Sequence, residues 1–155
     1  MKKAIYLKTN RTEDFAYQNM ERWLEIASLM DADCYILCDK EDIINQLEGK
    51  FLLLEGVQFI RSIKSEELKA IVDNIAVESW HNAAYAHLTT FVHAGQTGYD
   101  AFWNIDADDT QFCLSAERTL EALEKTEQYA IQEGIDCFSL DMWRTKTFLI
   151  IGHSG

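Results

Sequence analysis

Five short strand-like, mainly apolar stretches, separated by segments long enough for a helix, constrain this chain more than anything else in it. The runs are Ala4–Leu7, Cys34–Cys38, Val57–Ile60, Ala101–Ile105 and Cys137–Met142. Strand, helix, strand, helix, repeated, predicts a parallel sheet with helices on both faces. The fold class expected is therefore α/β, a three-layer α/β/α Rossmann-like and mostly parallel sheet. The chain of 155 residues fits one domain, 1–155, with a real core. It contains no proline, no low-complexity linker and no internal repeat.

The intervening stretches carry helix signals. Thr12 is a plausible cap for a helix from Glu13 to Met30, with Phe15, Met20, Trp23, Ile26, Ala27 and Met30 as its apolar stripe. Asp39 is placed to cap a short helix with Asp42 in its first turn. Phe51–Leu54 is ambiguous between helix and strand. A longer helical stretch begins near Ser65 and reaches Ala94, interrupted around Asp73-Asn74, with Gly95 as its stop. The last helix spans Ser115 to Glu133, with Glu121 and Lys125 at i,i+4 and Gly134 as its stop.

In such sheets ligands bind beyond the carboxyl ends of the strands. Three of these ends are polar: Thr9-Asn10-Arg11, Asp39, and Asp106-Ala107-Asp108-Asp109. The last is the strongest signal, because a buried strand delivers several carboxylates to one edge. Carboxylates held together repel unless a cation joins them, and hard oxygen ligands suit Mg²⁺ and Mn²⁺. The expected chemistry is metal-dependent handling of a phosphate ligand.

Charge narrows the partners. The formal net charge of −12 argues against nucleic acid or anionic lipid, both of which require a basic face. It also means that an anionic ligand needs local cations or helix N-termini to offset repulsion. Hydrophobic residues at 48% and charged residues at 26% make the chain globular rather than disordered. No apolar run approaches the ~20 residues of a membrane span. The N-terminus lacks the apolar core and cleavage site of a secretory signal, so a cytoplasmic location is expected.

Cys34, Cys38, Cys113 and Cys137 form no C-x-x-C pair, and Cys34 and Cys38 fall on one face of a strand as reduced core residues. His81, His87 and His93 recur every six residues. A step of six turns a helix by roughly 600°. The three therefore point in different directions and make packing or surface residues, not a metal triad. Trp103 and Trp143 read as packing residues rather than sugar platforms.

With these residues in view, the chain resembles the donor-binding part of GT-A-fold glycosyltransferases, the nucleotide-diphospho-sugar transferases. The resemblance lies in the order of Lys8-Thr9-Asn10-Arg11, Cys38-Asp39, Trp80-His81-Asn82-Ala83-Ala84 and the D-x-D of Ile105-Asp106-Ala107-Asp108-Asp109, across roughly positions 4 to 143. It implies a nucleotide-diphospho-sugar donor, a UDP-sugar first among them, a saccharide or other acceptor, and Mn²⁺ or Mg²⁺. Asp106 would lie near the ribose or a metal-bound water, Asp108 would ligate the ion, and Asp109 would assist. Asp39 would accept from the base, and Thr9 and Asn10 would line the base and ribose pocket. Arg11 would balance phosphate charge. Asn82 falls where the family often has an Arg-Asn pair, but His81 replaces the arginine. Asp141 is the candidate catalytic base or acceptor contact.

Each assignment has a plainer rival. Asp108 and Asp109 as loop acids, Asp39 as a helix cap, Thr9-Asn10-Arg11 as a turn, and Asp141 as a structural partner of Arg144 are the competing readings. Asp106-Ala107-Asp108-Asp109-Thr110 also fits the D-x-D-x-T of haloacid-dehalogenase-type phosphatases, whose first Asp attacks phosphorus. That motif normally follows a first strand, and the chain downstream of it here is short. A third reading is an inactive nucleotide-binding fragment. The apolar tail Phe148–Ile151, followed by Gly152-His153-Ser154-Gly155, reads as a sequence cut short, and such a chain would complete its core as a homo-oligomer.

Overall fold

A computed structural model describes residues 1–9, 12–38, 40–51, 57–61, 82–106, 115–139 and 147–151. Among these residues the strands are β1 (Lys3–Lys8), β2 (Asp33–Cys38), β3 (Val57–Arg61), β4 (Ala101–Asp106), β5 (Cys137–Ser139) and β6 (Thr147–Ile151). The helices are α1 (Asp14–Leu29), α2 (Glu41–Phe51), α3 (Asn82–Thr97) and α4 (Ala116–Glu133). The strands form one sheet in the order β3-β2-β1-β4-β6-β5. β3, β2, β1 and β4 are mutually parallel, and β6 runs antiparallel to both β4 and β5. The sheet is thus mostly parallel, as the alternation of runs predicts.

The central strands are apolar on both faces because helices cover both. Ile5, Leu7, Cys34, Ile36, Ala101, Trp103 and Ile105 pack on one face with Met20, Trp23 and Ile26 of α1, Leu47 of α2 and Leu123 of α4. Ala4, Tyr6, Tyr35, Leu37 and Phe102 turn to the other face, towards Ala94 of α3 and Tyr99. Alternation along each strand sorts the side chains in this way. Cys34 and Cys38 share the first face and are buried thiols. Burial pushes the Cys34 thiol up to about 12, so it is an inert packing group.

Helix ends follow local chemistry. Ser115 caps α4, its hydroxyl accepting from the Arg118 N–H at 3.3 Å. Gly134 ends α4 in the left-handed region at φ 67°, a conformation that costs other residues strain. Lys125 donates to Glu121 at 2.7 Å on the exposed face, as the i,i+4 spacing requires.

Three details differ from expectation. Glu13, not Thr12, occupies the cap position of α1 and makes no side-chain cap bond. Ala16 replaces Phe15 in the buried stripe of α1, and Phe15 is 45% exposed. Positions 16, 20, 23, 27 and 30 keep helical spacing where 15 breaks it. α3 runs through Gly95, and Gly98 at φ 77° follows its last turn instead.

The apolar tail is the main revision. Thr147–Ile151 is a strand that inserts between β4 and β5, with Leu149 fully buried opposite Trp103. The run is apolar because it lies inside the sheet. Phe51 closes α2, while 52–56, the helical stretch expected from Ser65 up to residue 81, and 140–142 of the fifth apolar run lie outside the described residues. No helix among the described residues is long and apolar enough to cross a membrane.

Candidate functional site

The chain order of the sheet reverses at one place. From β1 the next two strands, β2 and β3, are laid down on one side, whereas β4 falls on the other side of β1. Such a reversal marks the usual ligand site of open α/β sheets, outside the carboxyl ends of the flanking strands. Here those ends are Lys8 and Asp106, which are register partners in the parallel β1–β4 ladder. Asp106 is half-exposed at this edge. Thr9 follows directly, half-buried, with its N–H donating to the Leu37 carbonyl at 3.0 Å. It therefore extends the β1–β2 pairing by one residue at the mouth, rather than leaving in a free turn.

The remaining expected site residues divide simply. Asn82 is the first residue of α3. Asn10, Arg11, Asp39, Asp108, Asp109 and Asp141 lie outside the described residues, as do His81, Cys113, Trp143, Arg144 and His153. Among the described residues, Thr9 and Asp106 thus share one edge, separated by Lys8. No group of three or more His, Cys, Asp or Glu able to hold a metal occurs among the described residues. Trp103 is packing, as expected. It is fully buried, and its indole N–H donates to Glu127 at 2.8 Å.

Below the mouth, towards α3, lies a polar cluster that the sequence reading did not pick out. Lys8 shares a face with Ala4 and Tyr6 and is only 8% exposed. Its ammonium lies 2.9 Å from His87 Nε2 and 3.1 Å from Nδ1. The Asn104 amide nitrogen lies 3.0 Å from His87 Nδ1 and donates to the Thr90 hydroxyl at 3.0 Å. Thr90 in turn donates to the His87 carbonyl at 2.6 Å. Asn104 is fully buried, and its carbonyl oxygen has no hydrogen-bond partner in the protein. Burial, and then the Lys8 charge, hold the His87 imidazole down to about 4, so it is neutral near pH 7.

The signal for this cluster is visible with hindsight. Lys8 and Asn104 are polar at positions where Ala4-Tyr6 and Phe102 face inward. His87, Thr90 and Ala94 recur at the i, i+3, i+7 spacing of one helix face. The six-residue argument separated His87 from His93 too strongly, since both reach the sheet. His93 Nδ1 meets the Tyr6 hydroxyl at 2.8 Å, and its ring packs edge-on to Tyr35. The helix face against the sheet is wide enough to collect residues about 120° from one another around α3.

At the opposite, amino end the polar groups are closed structural networks. Tyr99 donates to Asp33 and meets the Tyr35 hydroxyl. Burial first, then the bond to Asp33, drives the Tyr99 hydroxyl far above its ordinary value and keeps it protonated. Lys2 donates from its ammonium to the Thr97 carbonyl at the end of α3, where a cation also suits the helix dipole. Comparison with known proteins adds no assignment: no protein-family profile matches the chain, and no curated protein matches it significantly.

Proposed function

We propose that the chain is a glycosyltransferase of the GT-A type, or its donor-binding half, that takes a nucleotide-diphospho-sugar, most simply a UDP-sugar, together with Mn²⁺ or Mg²⁺. One observation carries the reading. The strand that ends in the D-x-D motif and the strand that ends in Lys8-Thr9 are parallel neighbours, flanking the point where strand order reverses. Lys8 and Asp106, almost a hundred residues apart in the chain, thereby share one edge. β2, whose end leads to Asp39, is the next strand along.

The half-exposed Asp106 carboxylate at this edge is a hard oxygen donor of the kind a divalent cation takes. Asp106, Asp108 and Asp109 would hold the ion, and when bound it supplies Lewis-acid stabilisation of the leaving nucleoside diphosphate. Thr9 and Asn10 would line the base and ribose pocket, Asp39 would accept from the base, Arg11 would balance the phosphate charge, Asn82 would belong to the donor site, and Asp141 is the candidate base for the acceptor. The acceptor is a saccharide or another hydroxyl-bearing molecule.

The test is calorimetric titration of the folded protein with UDP, with and without Mn²⁺. Mn²⁺ is expected to strengthen UDP binding by roughly ten-fold or more, and Asp108→Ala to remove that gain. Absence of UDP binding in both conditions would overturn the reading. Hydrolysis of an aryl phosphate that disappears in Asp106→Asn would replace it with the dehalogenase-type phosphatase.

A further inference from the structure

We propose that the outward face of α3 is where two copies of this chain meet, as an antiparallel helix pair centred on Phe91 and Val92. The inference goes beyond the nucleotide-sugar reading and does not depend on it.

α3 is built inside out. The residues it turns to the sheet are largely polar: His87, Thr90 and His93, beside Ala94. The opposite side of the helix carries Leu88, Phe91, Val92 and Gly95, at the i, i+3, i+4, i+7 spacing of a single stripe. Leu88 and Val92 are half-buried and Gly95 is exposed. Phe91 packs its ring edge-on to Phe102 and is still 43% exposed. An ordinary surface helix has these two compositions the other way round. A continuous apolar stripe on the solvent side marks a contact surface. The apolar tail gives no such cause for association, because it lies inside the sheet as β6.

Charge selects the occupant. From Ser79 to Tyr99 the sequence has no Asp, Glu, Lys or Arg, the longest such stretch in a chain whose formal net charge is −12. Two copies repel each other over most of their surface, and least where a charge-free face meets its like. A basic partner would be drawn to the acidic surface instead. A helix lying on anionic lipid needs lysines or arginines beside its apolar stripe, and α3 has neither. The stripe also fits itself. About a two-fold axis between Phe91 and Val92, Leu88 falls opposite Gly95 of the partner subunit. Gly95 lies inside the helix, where glycine is weaker than alanine, and nothing lies within 4 Å of the Cβ it lacks. It leaves a hollow in the stripe that a leucine side chain fills as a knob fills a hole.

Sedimentation velocity over roughly 1–100 μM protein tests the proposal on the wild-type chain, Gly95→Glu and Phe91→Glu. The wild type is expected to dimerise as concentration rises, and more tightly at high salt, because screening relieves the repulsion between two acidic copies. Gly95→Glu fills the hollow and puts a charge into an apolar contact, and should raise the dissociation constant by about ten-fold or more. Its monomer should fold at least as well as wild type, since the position is open and a helical glycine is replaced. Circular dichroism and the melting temperature therefore separate a lost contact from a lost fold. Phe91→Glu should act in the same direction at the centre of the stripe, and answers the question should Gly95→Glu fail to fold. A wild type that stays monomeric across the range overturns the proposal. So does a dissociation constant within about two-fold of wild type in folded Gly95→Glu, which places the contact elsewhere. A dimer that salt takes apart overturns it as well, because its contact is then between charges. UDP binding is no readout here, so failure of the nucleotide-sugar reading leaves this test intact.

Discussion

β1 carries a lysine near each end, and the two live in opposite worlds. Lys3, at the amino end, points to the α4 face and donates to Glu127 at 2.8 Å. The other oxygen of that carboxylate takes the Trp103 indole N–H at 2.8 Å. Both oxygens are engaged by groups of fixed position, and the network joins β1, β4 and α4. Lys8, at the carboxyl end, points to the α3 face and rests on a neutral imidazole. The carboxylate neutralises Lys3 and ties it to α4. The amino end of the strand is thus tied down by an ion pair, and the carboxyl end lies where parallel sheets bind ligands.

The sharpest way to break this contrast is to remove Glu127. Glu127→Ala strands a half-buried lysine and a fully buried indole N–H, and should cost about 2–3 kcal/mol of unfolding free energy in urea. Its effect on UDP binding by the folded fraction should be nil. A stability loss below about 1 kcal/mol would remove the amino-end network from its structural role.

Acid is the next probe. The His87 imidazole is held at about 4 in the fold against an ordinary 6.5. On acidification the unfolded chain therefore takes up this proton first. This contribution to stability is complete above about pH 6.5 and is lost as pH falls towards 4. The expected loss is about 1–2 kcal/mol, less than the full shift would give, because the ring partly faces solvent. The check is the difference between wild type and His87→Gln across that window, which subtracts the carboxylates. Lys8→Met should move the His87 titration, followed by ring proton resonances, back upward, since it removes the smaller of its two causes.

Gly134→Ala comes lower, at about 1 kcal/mol. Nothing lies within 4 Å of an added Cβ, so the whole cost is the left-handed backbone at φ 67°. Smallest is Lys125→Ala. Its pair with Glu121 is well exposed on both sides, and thermal unfolding should hardly move.

Much of the scaffold is legible from the letters. Runs such as Ala4–Leu7, and Ala101–Ile105 apart from Asn104, are apolar on both faces because helices cover both faces of a parallel strand. Cys34 and Cys38 fall on one face because strand side chains alternate. Gly134 and Ser115 mark the ends of α4 through backbone geometry and hydroxyl capping. β6 is harder to read, because an apolar run of four residues, Phe148–Ile151, carries no sign of its neighbours. Its place between β4 and β5 depends on partners distant in sequence.

The candidate site divides along the same line. Asp106 announces itself, since an acid ending an apolar strand is a local pattern. Lys8, His87, Asn104 and Thr90 do not, because each is unremarkable in its own segment. They become a site only when β1, β4 and α3 are packed together.

The sequence by itself determined most of the strands and helices, and which strand ends in an acid, because periodicity and capping act over a few residues. Only the tertiary structure decided that β4 lies beside β1, that Lys8 stands in register with Asp106, and that His87 meets the lysine. Those facts come from closing loops of tens of residues and burying both faces of one sheet. The free energy of that burial belongs to no single segment.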